Sequence, residues 1–231
     1  NHSLDLGGPF QLNDEPLTDI WAENCGYWRA EVYDTYTGRN WVNAERYLTA
    51  LEAGVSLSQT NYKLRREVNQ TVRILQGGAN LIYVSSQPVR VSLPLWAVLG
   101  SPSIENVLML YSPSDLGTGQ TYTVVSSVSQ ADVDSLRRAS NEYPAWVTDR
   151  YLQLPATLPR RVRLLAQNLT RRYDNAYDKI EALEDYLRHI PYNDGIEAPP
   201  EGQDGVDYFL FEARQGYCSY YASALVVMVR S

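Results

Sequence analysis

The hydrophobic pattern of this chain changes its period once, shortly after Val128. Before that point, short runs rich in β-branched and aromatic residues are separated by turn-forming residues, which is typical of β-strands. After it, apolar residues recur three and four positions apart, which is typical of amphipathic helices. The pattern therefore predicts an α+β chain, in which a mostly antiparallel β region, a sandwich or a half-barrel, precedes a helical region.

Several runs in the first half have the composition of strands. They cover residues 27–35, 62–75, 81–85, 88–93, 107–111 and 121–128. Turn signals separate them, for example the Gly77-Gly78 pair and the Ser112-Pro113 pair. We therefore predict a β-rich accessory domain over residues 1–130.

Signals for helix starts and ends divide the second half of the chain. Ser129, with Asp132 three residues later, resembles a capping box for a short helix that ends near Arg138. Residues 141–154 are predicted to be a loop. We therefore expect residues 131–156 to form a connecting helix and loop.

Two amphipathic helices are predicted in the region that follows, residues 157–231. Thr157 can cap the first helix, with Pro159 in its first turn. Asn175 can cap the second, which Pro191 ends. Each helix has one apolar stripe, formed by Val162, Leu165, Ala166 and Leu169 in the first and by Ile180, Leu183, Leu187 and Ile190 in the second.

The last stretch contains the candidate nucleophile. Asp204 can cap a short helix, which Gly216 can end in a left-handed conformation while leaving room for substrate beside it. An apolar helix then starts at Cys218. A thiol at a helix N-terminus meets the positive end of the helix dipole and unpaired N–H groups, which favour the thiolate and can bind an oxyanion. The alternative interpretation of Cys218 is a small buried residue between loop and helix.

Three tyrosines flank the expected cleft around Cys218, namely Tyr192, Tyr208 and Tyr217. They are candidates for substrate contacts or for donors to the oxyanion, and the alternative is half-buried packing. The chain has two histidines, and neither is expected to be the general base. His189 lies at the C-terminal end of a predicted helix, where the dipole favours a charged imidazole, and His2 lies in the terminal segment.

Charge and cysteine content exclude several kinds of partner. The formal net charge of -7 gives no field that would hold a phosphate backbone, so nucleic acid is not an expected partner. Two cysteines, Cys25 and Cys218, are too few for a disulfide framework, and no Cys/His cluster suggests a metal or a cofactor. No apolar run approaches the roughly 20 residues of a membrane helix, so membrane contact is expected only through segments outside this chain.

The sequence around Cys218 resembles a known family. The run D-G-V-D-Y-F-L-F-E-A-R-Q-G-Y-C-S-Y-Y-A-S-A-L-V-V-M-V-R, residues 204–230, is similar to the nucleophile region of the transglutaminase-like superfamily, where an acidic residue, an F-L pair and G-x-C-x-x-x-A recur. Two other stretches, Y-W-R-A-E-V-Y-D-T-Y-T-G-R-N-W at 27–41 and Y-D-K-I-E-A-L-E-D-Y-L-R at 177–188, look like a bacterial branch of that family. In that branch, transmembrane helices precede an extracytoplasmic transglutaminase-like domain.

The resemblance implies both a fold and a chemistry. Residues 157–231 would be the helical front half of a papain-like α+β core, with Cys218 as the nucleophile of a Cys-His-Asp triad. In such proteins the histidine and aspartate lie on strands after the cysteine helix, so the chain is expected to be a fragment that ends just after this helix and is inactive by itself.

The resemblance also implies a location and a substrate. The parent protein would be periplasmic or on the cell surface, anchored in the membrane, and would transfer or hydrolyse acyl groups of a protein or peptide through a thioacyl intermediate. The alternative is a non-catalytic relative that binds a protein or a cell-wall peptide as a scaffold.

Overall fold

The computed structural model describes most of the chain, namely residues 3–10, 13–23, 26–43, 46–57, 62–102 and 106–231. His2 and Cys25, both considered above, lie outside the described residues. In chain order, the strands are β1 (Leu4–Asp5), β2 (Thr18–Ala22), β3 (Trp28–Arg29), β4 (Thr35–Tyr36), β5 (Asn40–Val42), β6 (Tyr47–Leu51), β7 (Arg65–Ile74), β8 (Ala79–Leu81), β9 (Val84–Ser85), β10 (Gln87–Val91), β11 (Leu95–Leu99), β12 (Val107–Leu116) and β13 (Thr121–Ser129). The helices are α1 (Val133–Arg137), α2 (Ala145–Tyr151), α3 (Arg160–Thr170), α4 (Ala176–Arg188), α5 (Gly205–Tyr208) and α6 (Cys218–Val229), with a π-helical turn at Phe209–Ala213.

The chain divides into two compact units. The helical unit comprises Asn1–Leu12, Tyr33–Ala44 and Asp132–Ser231, and the β unit comprises Asn13–Val32 and Glu45–Ala131. The β-rich region predicted over residues 1–130 therefore includes two segments that belong to the helical unit. These segments form β1, β4 and β5, which pair with one another.

Among the described residues, the β unit contains two four-stranded antiparallel sheets. The strand order is β10-β13-β7-β2 in one sheet and β6-β11-β12-β8 in the other. Strand β7 shows the expected alternation, because Val68, Gln70, Val72 and Ile74 are buried and the residues between them are more exposed. The register of β10 against β13 shifts between Pro88 and Arg90, since proline has no N–H to donate to the ladder.

The two sheets contribute side chains to one apolar core, as in a sandwich. Val72 of the first sheet and Ala97 of the second are fully buried in it. The buried Tyr122 hydroxyl accepts a hydrogen bond from the Tyr83 N–H at 2.9 Å, and burial raises the pKa of Tyr122 to about 12. The predicted antiparallel β architecture of this region is confirmed.

In the helical unit, α6 supplies much of the core. Its residues Tyr220, Ala224, Val227 and Met228 are buried, and α3 and α4 both pack against it. Their buried apolar residues are Val162 and Ala166 in α3 and Leu183 and Leu187 in α4. These residues belong to the two stripes identified in the sequence, so the helical half of the α+β prediction is confirmed.

The strand predictions need several corrections. The run at 27–35 is not one strand, because only β3 and β4 are formed and Asp34 is fully buried, with its carboxylate paired to Arg150. The run at 81–85 is divided between β8 and β9. Strand β12 continues past Ser112-Pro113, where its pairing with β8 is interrupted and a proline can be accommodated. Strands β2, β6 and β11 were not predicted.

Two of the predicted helix starts are wrong and two are confirmed. Asp132, not Ser129, caps α1, and its side chain accepts from the Ser135 N–H at 2.8 Å. Helix α3 begins after Pro159 without a side-chain cap, so Thr157 does not cap it. Helix α2 lies within the predicted loop. It follows a proline, so its start has no polar capping residue that could have indicated a helix. Side chains cap α4 and α5 as predicted, from Asn175 and Asp204.

Candidate active site

Cys218 is the first residue of α6, and its side chain is exposed. The preceding residue, Tyr217, has an extended backbone with φ -117° and ψ 179°. Its carbonyl accepts hydrogen bonds from the Tyr220 and Tyr221 N–H groups at 2.9 and 3.3 Å. The N–H groups of Cys218 and Ser219 have no partner among the described residues, and no side chain caps the helix there. Two backbone donors therefore remain beside the thiol, where they can bind an anion.

Buried polar contacts fix the position of α6 within the helical unit. The Trp41 indole N–H donates to the Ser223 hydroxyl oxygen at 2.8 Å, and both groups are buried. The Arg230 guanidinium donates to the Asp34 carbonyl oxygen at 2.8 Å and lies 5.1 Å from the Trp41 ring centroid. Burial lowers the pKa of Arg230. These contacts hold both the middle and the C-terminal end of the helix.

A second cluster holds the segment that leads to Cys218. Asp204 Oδ1 accepts from the N–H groups of Val206 and Asp207, each at 3.0 Å, and lies 3.0 Å from the Tyr36 hydroxyl. Burial is the main reason that the pKa of Asp204 is raised. The Asp207 carboxylate accepts two hydrogen bonds from Arg161, at 2.6 and 2.5 Å. Bidentate pairing of this kind fixes orientation as well as distance.

The turn before Cys218 differs from the prediction at Gly216. The residue in the left-handed region is Arg214, with φ 49°, and its N–H donates to the Phe209 carbonyl oxygen at 3.1 Å. A Cβ atom added to Gly216 would lie 2.9 Å from two atoms of the Phe209 ring and 3.2 Å from the Tyr220 Cβ. The space beside Gly216 is therefore filled by packing and not left open for substrate, because the Phe209 ring occupies it.

The thiol faces a cleft of about 530 Å³. The lining residues are Arg188, His189, Ile190, Pro191, Tyr192, Cys218 and Tyr221. The Tyr192 and Tyr221 rings are stacked, with centroids 6.3 Å apart, and the Tyr221 hydroxyl donates to the Ile190 carbonyl oxygen at 2.5 Å. One wall of the cleft is therefore an aromatic surface, and a hydrogen bond fixes the Tyr221 ring of this surface.

Two families of proteins match this chain. Residues 13–132 match the TgpA N-terminal domain, and residues 163–231 match the core of the transglutaminase-like superfamily. The chain belongs to the TgpA-type transglutaminase-like proteins. The family resemblance identified around Cys218 is thus confirmed.

The curated relatives of this TgpA-type chain are bacterial and much longer. An uncharacterized protein, YebA of Bacillus subtilis (strain 168), is 31% identical over 252 residues, which cover 100% of this chain and 33% of the relative. A protein-glutamine gamma-glutamyltransferase of Pseudomonas aeruginosa is 29% identical over 211 residues, which cover 89% of this chain and 28% of the relative. The chain therefore spans about a third or less of each relative.

A solved structure has the same fold as the TgpA-type chain. The crystal structure of the periplasmic domain of TgpA from Pseudomonas aeruginosa superposes with a TM-score of 0.66 at 20% sequence identity, over 100% of this chain and 76% of that one. This match supports the α+β architecture, with antiparallel sheets followed by helices. None of the described helices is long and apolar enough to cross a membrane.

The structure separates the predicted site residues of this TgpA-type protein into two groups. Tyr192 and Cys218 line the same cleft. Tyr217 is 3% exposed, with its hydroxyl donating to the Gly8 carbonyl oxygen at 3.2 Å, and burial raises its pKa. Tyr208 is half-buried on α5 and does not line the cleft. Gly216 contributes packing and the backbone bonds described below.

Three cleft residues were missed or given another role in the sequence. Tyr221 lies three residues after Cys218 on one helix, a spacing that places both on the same face and could have identified it. Arg188 gave no such signal. His189 was expected at a helix end and does follow α4, but it also lines the cleft. Its Nδ1 atom lies 2.7 Å from the Asp185 carbonyl oxygen, which can only accept, so Nδ1 carries a proton.

Proposed function

We propose that this chain supplies the nucleophile of a cysteine acyltransferase or hydrolase, with Cys218 attacking a side-chain amide of a protein or peptide. One observation carries the proposal. The exposed thiol is the first residue of α6, beside two backbone N–H groups that have no partner within the described ranges, and it faces a cleft. A nucleophile and an oxyanion site are therefore adjacent, as acyl transfer requires.

The proposed reaction has two steps. The Cys218 sulfur forms a bond to the amide carbon, the carbonyl oxygen becomes an oxyanion, and the N–H groups of Cys218 and Ser219 can donate to it. The C–N bond then breaks, and the nitrogen leaves as an amine or ammonia after it takes a proton. In the second step, an amine or water attacks the thioester carbon and the thiol is regenerated. The family resemblance assigns the proton transfers to a histidine that is oriented by an aspartate, and both follow the cysteine helix in such proteins.

The substrate and the location are part of the same proposal. The name of the Pseudomonas aeruginosa relative, a protein-glutamine gamma-glutamyltransferase, supports glutamine side chains as acyl donors and an amine as acceptor. The match to a periplasmic domain supports an extracytoplasmic location, in a protein anchored in the membrane by other segments. A non-catalytic scaffold that binds a protein or a cell-wall peptide is the competing function.

An active-site titration with p-nitrophenyl acetate tests the proposal. The p-nitrophenolate group leaves without needing a proton, so the test depends only on the nucleophile and the oxyanion site. We expect one equivalent of p-nitrophenolate per chain, released at least about tenfold faster than from the same protein unfolded in urea. Peptide mass spectrometry should place the acetyl group on Cys218.

Two variants serve as matched controls for this titration. The Cys218→Ala protein should release no burst, and the Cys25→Ala protein should release a normal one. If folded and unfolded protein react at the same rate, Cys218 is not activated and the scaffold function is favoured instead.

A further inference from the structure

The backbone of Tyr192 forms a short parallel bridge with Gly216, two residues before Cys218. The Asn193 N–H donates to the Gly216 carbonyl oxygen at 2.8 Å, and the Gly216 N–H donates to the Pro191 carbonyl oxygen at 3.2 Å. In a parallel ladder, the residues before and after the central one make these bonds, and the N–H and C=O of the central residue point to the other side. The N–H of Tyr192, a donor, and its C=O, an acceptor, therefore point away from Gly216.

These two groups of Tyr192 are not bonded to any other described residue. Tyr192 is 57% exposed, and it lines the cleft that contains Cys218. An exposed strand edge with free N–H and C=O groups is a template for the main chain of another extended segment. Because the bridge to Gly216 fixes Tyr192 relative to Cys218, a segment bound there would be held at a constant distance from the thiol.

We propose that the N–H and C=O of Tyr192 bind the main chain of an extended acyl-donor peptide and so place its reactive side chain at Cys218. This inference rests on the proposed function. One residue of an antiparallel substrate strand exchanges both hydrogen bonds with Tyr192, and the side chains of its neighbours point to the opposite face. Substrate recognition then depends on an extended main chain and not on the reactive side chain alone.

The walls of the cleft indicate which side chains suit the residues beside the acyl donor. The stacked rings of Tyr192 and Tyr221, with Ile190 and Pro191, form a largely apolar surface. The ionisable groups at the rim are basic, Arg188 and His189, and Arg188 is paired with Glu184. We therefore expect an apolar neighbour to be favoured over a lysine, since an ammonium group would lose water against this apolar surface.

Alkylation of Cys218 by chloroacetamide reagents tests this inference. One reagent carries the chloroacetamide on a glutamine-like side chain within a short leucine peptide, acetylated and amidated at its ends. The other is N-propyl chloroacetamide, which has the same reactive group without a peptide main chain. We expect the peptide to alkylate Cys218 about tenfold faster, because two hydrogen bonds to Tyr192 add to its binding.

N-methylation of single peptide bonds in the reagent locates the contact. We expect one position to lose about fivefold in rate, the effect of removing one hydrogen bond, and the other positions to change less than about twofold. Replacement of the leucine neighbours by lysine should also slow the reaction.

A pair of variants tests the same contact from the protein side. Tyr192→Ala removes only the side chain, and Tyr192→Pro removes the side chain and the N–H. Neither changes the Asn193 N–H or the Pro191 carbonyl, which make the bridge to Gly216. We expect the ratio of the peptide-reagent rate to the iodoacetamide rate to be about fivefold lower in the proline variant than in the alanine variant, while both keep the helical circular dichroism of the parent.

The outcomes distinguish this inference from the function on which it rests. If the peptide and N-propyl chloroacetamide alkylate Cys218 at equal rates, or if no N-methylated position loses rate, main-chain recognition by Tyr192 is refuted and an activated Cys218 still stands. If iodoacetamide labels folded and urea-unfolded protein equally, the proposed function fails and this inference fails with it.

Discussion

The helical unit and the β unit stabilise their cores in different ways. Among the described residues, the buried charged side chains are all in the helical unit, and they are Asp34, Asp204 and Asp207. The core cluster of the β unit is apolar, and its ion pairs, such as that of Arg73 with Asp19, involve partly exposed side chains. The unit that contains the nucleophile is therefore the one with charged groups in its interior, whereas the buried hydrogen bond of Tyr122 in the β unit joins neutral groups.

The difference follows from what each kind of contact requires. Apolar burial is non-directional and tolerates small shifts of one element against another. Buried hydrogen bonds and charge pairs lose most of their value when their geometry is changed, because an unsatisfied buried group is costly. A helix that must hold a thiol beside a cleft gains from the second kind of contact, whereas a β-sandwich core is stable with the first.

The largest effect is expected for Gly216→Ala in the helical unit. The added Cβ would lie 2.9 Å from the Phe209 ring, so either this ring or the segment before Cys218 must move. We expect a loss of about 1 to 3 kcal/mol in the free energy of unfolding, measured by urea titration. Because the same segment positions the thiol, the rate of Cys218 acetylation should also fall.

The matched control for that variant is Gly117→Ala in the β unit, where the nearest atom to an added Cβ is 4.0 Å away. We expect a change within about 0.5 kcal/mol there, as for ordinary surface substitutions. Equal losses in the free energy of unfolding for the two variants would show that the packing around Gly216 is no more restrictive than that around Gly117.

An intermediate effect is expected from the contact between Trp41 and Ser223. Trp41→Phe removes the indole donor and leaves the buried Ser223 hydroxyl without it, at a cost of about 1 to 2 kcal/mol. The double variant with Ser223→Ala should cost less than the sum of the two single variants, with a coupling of about 1 kcal/mol measured by urea unfolding. Strict additivity would show that this hydrogen bond does not help to hold α6.

The smallest effect, with a definite pH dependence, is expected for Asp204→Asn. Burial raises the pKa of the folded Asp204 carboxyl above its unfolded value of about 3.9. The contribution of Asp204 to the free energy of unfolding is therefore most favourable below the unfolded pKa, and it is lost as the pH rises through the folded pKa. Asparagine keeps an oxygen to cap α5 and has no charge to bury, so the variant should gain on the parent as the pH rises above about 4, by roughly 1 kcal/mol or less.

Two further substitutions complete that comparison. Asp204→Ala should be less stable than Asp204→Asn by about 1 kcal/mol at every pH, because it also removes the cap. Asp19→Asn in the β unit should change stability by about 1 kcal/mol or less, since its ion pair is partly exposed. If the difference in the free energy of unfolding between the parent and Asp204→Asn does not change with pH, the pKa of the Asp204 carboxyl is not raised in the folded protein.

The sequence predicted elements where a local pattern is strong. Strand β7 alternates buried and exposed residues, and α4 has both an apolar stripe and an asparagine cap, so both were found. Strand β11 is buried along nearly its whole length and does not alternate, and α2 follows a proline without a polar cap, so neither was found. The division of the chain into two units could not be predicted from local sequence patterns, because contacts such as the hydrogen bond from Trp41 to Ser223 join residues 182 positions apart.

The same limits apply to the candidate site. Cys218 at a helix start was predicted from the glycine, the helix and the family motif, and the structure places it there. The filled space beside Gly216 was not predicted, since it depends on where the Phe209 ring packs. The position of Arg188 in the cleft was also missed, because it depends on how the chain folds at the C-terminal end of α4.

The π-helical turn Phe209–Ala213 limits how this region can change in length. A turn of this type holds about one residue more than an α-helical turn and completes the same full rotation of the chain. Deleting one residue there would give an ordinary helical turn without rotating the segment that follows, including Cys218. A further inserted residue has no such turn to absorb it, and it would rotate Cys218 away from its cleft by about 100°. We therefore expect a single deletion within this turn to be tolerated better than a single insertion.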